Sequence, residues 1–332
     1  MRYRAPLWLP GGHAQTIWPS LYARRHHRDR QPPRFRRERW TTPDHDFIDV
    51  DWLDDGATQA GSAARPLLVL FHGLEGSTQS QYVQAFAHVA QQRGWAFALP
   101  HFRGCSGELN LAPRAYHSGD YEEIGWMLAR FKALHAGPIV AAGVSLGGNA
   151  LLRWAEEAGD SAAATARAVA AVCSPVDLAA AGHAIGRGFN RLVYTRMFLA
   201  TMVPKALQKL QQHPGLFDGE RLARARDLYE FDNLFTAPLH GFRDTDDYWD
   251  RASAKPHLQR IRIPALVLNA RNDPFVPAES LPQPQELRGN DRVELWQPAH
   301  GGHVGFASGR PPGLVLTMPE QVSDWLARAA LD

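Results

Sequence analysis

Short aliphatic runs alternate with amphipathic stretches along most of this chain, and that alternation constrains its fold more than any other feature. "RPLLVLFHG", "WAFALPHFRG", "PIVAAGVS" and "AVAAVCSPVD" are bounded by glycine, proline or polar residues and read as strands. Between them, "SQYVQAFAHVAQQRG", "SGDYEEIGWMLARFKALHA" and "LGGNALLRWAEEAG" place apolar residues at helical spacing. The strands lack the polar alternation of a sheet with one wet face. They are therefore expected to be buried on both sides, in an α/β fold with a mostly parallel central sheet and helices on both faces.

The pattern lapses between Leu178 and about Leu258, where "NRLVYTRMFLATMVPKALQKLQQHPG" and "ERLARARDLYEFDNLF" predict a largely helical run. It resumes with "PALVLNA" and "RVELWQPA" and closes on the helix "MPEQVSDWLARAAL". This predicts a core in two pieces, 41–177 and 259–332, with a helical cap inserted over 178–258. Residues 1–40 are rich in proline and arginine and show no period, so they read as a basic extension packed on or near the core.

Within that extension, "ARRHHRDRQPPRFRRERW" sets Arg24, Arg25, Arg28, Arg30, Arg34, Arg36, Arg37 and Arg39 against Asp29 and Glu38, in a chain whose net charge is only +2. Such an arm suits peripheral contact with anionic lipid head groups, although its plainer reading is a solvated surface arm. No recognisable nucleic-acid module accompanies it, so nucleic acid is not an expected partner. No apolar run is long enough to cross a bilayer, and prolines interrupt "MRYRAPLWLPGG" before it could serve as a signal peptide. The two cysteines, Cys105 and Cys173, have no CxxC spacing and fit a reducing compartment, which points to the cytoplasm. His13, His26 and His27 have no carboxylate or cysteine companions at ligand spacing, and no GxGxxG or GxxxxGK[ST] stretch occurs. Neither a metal nor a cofactor is expected.

Chemistry concentrates at "GVSLGGN", Gly143 to Asn149, which matches G-x-S-x-G between a strand and a helix. Such a turn needs small neighbours because the serine backbone is strained and adjoining chains pass close. Ser145 is the candidate nucleophile, with the Leu146 N–H at the start of the next helix as an oxyanion donor. A serine hydroxyl needs a base, and the base needs an acid to orient it. Asp273, in "ALVLNARNDPFVP", follows a later strand, and the loop "HGGHVGF" follows the last one. Of its two histidines, His303 comes after Gly301 and Gly302, which free the chain to turn the ring inward. It is the candidate base, with His300 as a neighbour. Asp177 is the reserve acid, and Cys105, on a loop without such a turn, reads as a packing residue. "LFHGLEGS" offers Leu74 N–H as a second oxyanion donor, with His72 orienting the loop. In the cap, Phe189, Val193, Met197 and Phe198 recur at roughly helical spacing and are candidates for an acyl pocket, or for simple burial against the core.

Taken with "FHGLEGS", "HFRGCSGE", "YHSGD", "EFDNLFTAPLHGF", "NARNDPF" and "GGHAQTIWP", these motifs make the sequence resemble the YheT-like branch of the α/β-hydrolase fold, over almost the whole chain. The resemblance implies a serine hydrolase without a cofactor, acting on small-molecule carboxylic esters, with Ser145, Asp273 and His303 as its triad and a helical cap. Acyl transfer through the same acyl-enzyme, or ligand binding without catalysis, are the alternatives such a fold allows.

Overall fold

The computed structural model describes residues 1–27, 31–54 and 65–331. Eight strands form one sheet: β1 (Phe35–Thr41), β2 (Phe47–Leu53), β3 (Leu67–Phe71), β4 (Ala96–Pro100), β5 (Ile139–Val144), β6 (Ala168–Val172), β7 (Ala265–Leu268) and β8 (Val293–Trp296). Their order is β1-β2-β4-β3-β5-β6-β7-β8, with β1 and β2 antiparallel and every pairing from β4 to β8 parallel. The α/β sheet expected from the apolar runs is therefore present.

Successive residues of each central strand feed opposite layers. Leu67, Val69 and Phe71 join Trp40, Met127, Phe131 and Leu151 beneath one face, whereas Leu68 and Leu70 meet Phe86, Phe97, Trp325 and Leu326 beneath the other. The covering helices are α2 (Gln81–Gln92), α3 (Tyr121–Leu134), α4 (Leu146–Ala158) and α8 (Thr317–Leu331), the last numbered after those of the insertion. Between β6 and β7 the chain forms α5 (Leu178–Ile185), α6 (Arg196–Gln212), α7 (Thr245–Ala252) and several shorter turns, which lie over the ends of the strands.

Two parts of the first forty residues are regular elements, although the sequence there shows no period. The stretch "GGHAQTIWPSL" is a helix, α1 (Gly11–Leu21), despite its leading glycines and internal Pro19. Phe35–Thr41 is a full edge strand rather than part of an arm. Its register sets Arg37 opposite Asp51 and Arg39 opposite Asp49, and each guanidinium grips its carboxylate with two hydrogen bonds of 2.7–3.0 Å. Those arginines thus compensate buried carboxylates on β2 and are not free surface charge. Arg28, Asp29 and Arg30 lie outside the described residues.

A second charged knot holds the loops near the strand ends. Buried Arg103 donates to Glu123 on α3 at 2.5 Å and to Asp46 at 2.8 Å, and also reaches Asp44. Asp46 in turn accepts from Asn110 and from the N–H groups of Leu111 and Ala112, so one guanidinium anchors the 103–112 loop to both β2 and α3. Replacing Arg103 with methionine keeps the volume but strands these buried carboxylates. R103M is expected to lower unfolding free energy by about 3 kcal/mol, read as a lower urea midpoint.

Candidate functional site

β5 ends at Val144 and α4 begins at Leu146, leaving Ser145 alone at the turn with φ 53° and ψ −122°. A non-glycine residue pays steric strain there, on the order of 1–3 kcal/mol, and holds it only where the surroundings enforce it. The enforcement is visible at two glycines. A Cβ at Gly147 would lie 2.4 Å from the His72 carbonyl oxygen, and one at Gly143 would lie 2.4 Å from the Gly147 carbonyl oxygen. Ser145 N–H also donates to the Val172 carbonyl on β6 at 2.8 Å, fastening the turn to the sheet.

Three strand ends converge on this serine. His303 Nε2 lies 3.1 Å from Ser145 Oγ, and His303 Nδ1 lies 2.8 Å from Asp273 Oδ2. Asp273 follows β7 and is buried; its other oxygen accepts the Phe275 N–H at 2.8 Å, so the carboxylate cannot rotate freely. The Phe275 ring packs on the imidazole with centroids 4.2 Å apart. With Nδ1–H donating to the carboxylate, Nε2 is left as the acceptor for the serine hydroxyl. This arrangement can move a proton from Ser145 to His303.

The loop after β3 faces the same serine. A Cβ on Gly73 would lie 3.2 Å from Ser145 Cβ, and Leu74 and Leu146 both line the cavity beside Ser145 and His303. His72 is fully buried behind that loop. Its Nδ1 donates to the Gly73 carbonyl at 2.7 Å and its Nε2 accepts the Phe102 N–H at 3.1 Å. Burial, with a smaller contribution from nearby His101, pushes the His72 pKa down to about 3, so it stays neutral and structural. Tyr82 Oη accepts the Gly73 N–H at 2.9 Å and completes the loop's support.

Other sequence candidates fall elsewhere. His300 is exposed and stands outside the Ser145–His303–Asp273 chain, so it is not a supporting neighbour of the imidazole. Asp177 caps α5, accepting the Ala180 N–H at 3.0 Å. Cys105 is buried, and burial pushes its thiol up to about 12, which removes it as a nucleophile. In the cap the expected stripe splits. Phe198 lines the cavity, but Phe189, Val193 and Met197 are 50%, 36% and 54% exposed and turn outward. Their spacing is helical, yet the buried face of this segment runs through Tyr194, Phe198, Leu199 and Met202 instead. The cavity wall is mostly apolar, with Ile185, Met202, Phe231 and Phe235 from the insertion. At one side Lys205 on α6 pairs with Glu75 of the β3 loop at 2.6 Å, bridging insertion and core.

Sequence reasoning missed several contacts. Asn149, on α4, is fully buried and bonds the Ser118 and Ala252 carbonyls at 2.8 Å each and the Ala254 N–H at 3.0 Å, joining the serine turn to the end of the insertion. Gln15 and Thr16, from α1, accept the N–H groups of Gly301 and His303 at 2.9 Å each. No local pattern signals the contacts of Gln15 and Thr16, because their partners lie more than 280 residues away. Among the described residues, the potential metal-ligand atoms of Cys173, Asp273 and His303 lie within 4.8 Å of one another. These atoms are already engaged: the Cys173 sulfur accepts the Val304 N–H at 3.3 Å, and the other two residues hold each other.

Residues 66–309 match the α/β hydrolase fold family. The chain is 37% identical to YheT of Escherichia coli (strain K12), an esterase by name, over 95% of this chain and 89% of that one. It is 30% identical to the phospholipase ABHD3 of Mus musculus, over 92% of this chain and 74% of the relative. An esterase structure from Pyrococcus furiosus superposes with a TM-score of 0.53 at 15% identity, covering 93% of this chain and 98% of that one, a likeness of fold.

His72 makes acid stability a readout of the loop. An unfolded histidine titrates near 6.5, whereas folded His72 titrates at about 3. Below 6.5 the unfolded chain binds the extra proton, so the stability held by neutral His72 is full above that pH and lost as pH falls. H72Q is expected to flatten the fall between pH 6.5 and about 4, by up to about 1.4 kcal/mol per pH unit, measured as urea midpoints across that window.

Proposed function

Because the chain belongs to the α/β hydrolase fold family and to its YheT-like branch, we propose that it hydrolyses carboxylic esters through Ser145, His303 and Asp273. The observation that carries this reading is the continuous hydrogen-bonded chain from Ser145 Oγ through His303 to Asp273 Oδ2, opening on an apolar cavity. The two relatives named for esterase and phospholipase activity support the same reaction class.

Ser145 Oγ attacks the ester carbonyl carbon while its proton passes to His303 Nε2. The carbonyl oxygen becomes an oxyanion held by the N–H groups of Leu74 and Leu146. On collapse, the C–O bond to the alcohol breaks and His303 returns the proton to the leaving oxygen, leaving an acyl-serine. Water then attacks that acyl group, with His303 again taking a proton; the bond to Ser145 Oγ breaks, His303 returns the proton to Oγ, and the acid departs. Asp273 stays ionised and balances the imidazolium that forms twice per cycle. The apolar wall over the serine suits a short- to medium-chain or lipid-derived acyl group, and Phe198 on α6 is one of the insertion residues that line it.

Two outcomes test this reading. S145A and H303A are expected to lose at least about 10⁴-fold in p-nitrophenyl ester turnover and S145A to escape fluorophosphonate labelling, whereas H300A keeps wild-type rates. Wild-type turnover in S145A would refute the mechanism. F198A is expected to move the acyl-length optimum toward longer chains, while M197A, on the outward face, leaves the acetate-to-laurate profile unchanged.

A further inference from the structure

We propose that Gln15 and Thr16 of α1 are positioning residues for the catalytic histidine and its acid, so that the N-terminal helix is part of the active-site machinery. The inference rests on the ester-hydrolase reading of the site.

The loop that delivers His303 cannot organise itself. Gly301, Gly302, Val304 and Phe306 all have positive φ, at 149°, 59°, 61° and 44°, so the stretch forms no regular hydrogen-bonded structure. Within it the Phe306 N–H donates to the Gly301 carbonyl at 3.1 Å, and the N–H groups from Gly301 to His303 need acceptors from outside. Three consecutive ones find side chains: Gly301 N–H donates to Gln15 Oε1 at 2.9 Å, Gly302 N–H to Asn272 Oδ1 at 3.0 Å, and His303 N–H to Thr16 Oγ1 at 2.9 Å. Asn272, the neighbour of Asp273, donates its own amide to the same Gln15 oxygen at 2.9 Å. One buried carbonyl oxygen thus ties the base loop to the acid loop.

The clamp is itself fixed. Gln15 is 2% exposed, and its Nε2 donates to the Leu9 carbonyl at 2.9 Å, which settles which end of the amide faces the loops. The Thr16 hydroxyl donates to the Gly12 carbonyl at 2.8 Å and so presents a lone pair to His303 N–H. Backbones meet here without intervening side chains: a Cβ at Gly12 would lie 1.9 Å from the Asn272 carbonyl oxygen, and one at Gly305 would lie 1.8 Å from the Gln15 carbonyl oxygen. The helix is held in place by Trp18 Nε1 donating to the Pro312 carbonyl at 2.8 Å and Trp8 Nε1 to the Gly309 carbonyl at 2.9 Å. Neither Gln15 nor Thr16 lines the substrate cavity, so they act on the geometry of His303 and not on the substrate.

The test compares wild type with Q15M and T16V, which change hydrogen bonding at nearly constant volume, and with T16S, which retains the hydroxyl and loses only a methyl group. Q15M and T16V are expected to lower kcat by about tenfold to a hundredfold with KM changed less than about twofold, the size expected when a support behind a reacting group is removed. T16S keeps the hydroxyl and is expected to recover most of the turnover lost in T16V. In proton NMR, the low-field resonance of the hydrogen shared by His303 Nδ1 and Asp273 is expected to shift or broaden in Q15M and T16V and to persist in T16S. Wild-type kcat in folded Q15M and T16V would overturn the proposal, as would losses in T16S equal to those in T16V. If wild type itself neither labels with fluorophosphonate nor turns over an ester, the hydrolase reading has failed. The NMR comparison still decides the positioning claim in that case, since an unchanged resonance in Q15M and T16V overturns it.

Discussion

Ser145 sits in a left-handed backbone conformation, and the architecture around it is organised so that this strain can be kept. The turn is fastened at its start by β5 pairing with β3 and β6, and at its end by α4 packed against the sheet. Those contacts are central and buried, so relaxing one residue would require disturbing both hydrophobic layers. The absent side chains at Gly143 and Gly147 are the local condition for it, because any Cβ there would collide with backbone that cannot move. A hydroxyl held above the strand ends is the result.

The remaining groups reach that hydroxyl from strands on both sides of β5. β7 supplies Asp273, and β8 leads to the loop of His303, while β3 on the other side supplies the Gly73–Leu74 turn. Parallel strands make this convergence possible, since all of their carboxyl ends open at one edge of the sheet. The insertion between β6 and β7 then roofs the same edge with apolar side chains. Phe198, Phe231 and Phe235 line the cavity beside the serine, and the Glu75–Lys205 pair ties this roof to the loop after β3.

Charge is handled at the other end of the sheet by a different device. Asp49 and Asp51 are buried on β2, and the arginines opposite them on β1 hold both carboxylates below the usual range despite the cost of burial. What looks in the sequence like a basic tail is in part the counter-charge of this strand pair. Arginine suits the position because its planar fork meets both oxygens of one carboxylate at once.

Much of the fold was legible in the sequence because its signals are local. A run such as "PIVAAGV" is buried whichever neighbours it finds, and "GVSLGG" admits few backbone paths. The edge strand at Phe35–Thr41 was not legible, since its alternation of arginine with other residues looks like a solvated arm until Asp49 and Asp51 are brought opposite. The cap stripe was misleading for a related reason: helical spacing says that a helix has faces but not which face turns inward, and packing chose Phe198 while leaving Phe189, Val193 and Met197 outside. The sequence by itself determined the order of elements and the residue types at the strand ends. Only the tertiary structure decided that the imidazole of His303 lies 3.1 Å from Ser145 and that Gln15, 286 residues before Gly301, holds its loop. Contacts closed across such a length of chain leave no local periodicity, because they depend on where the whole sheet carries each end.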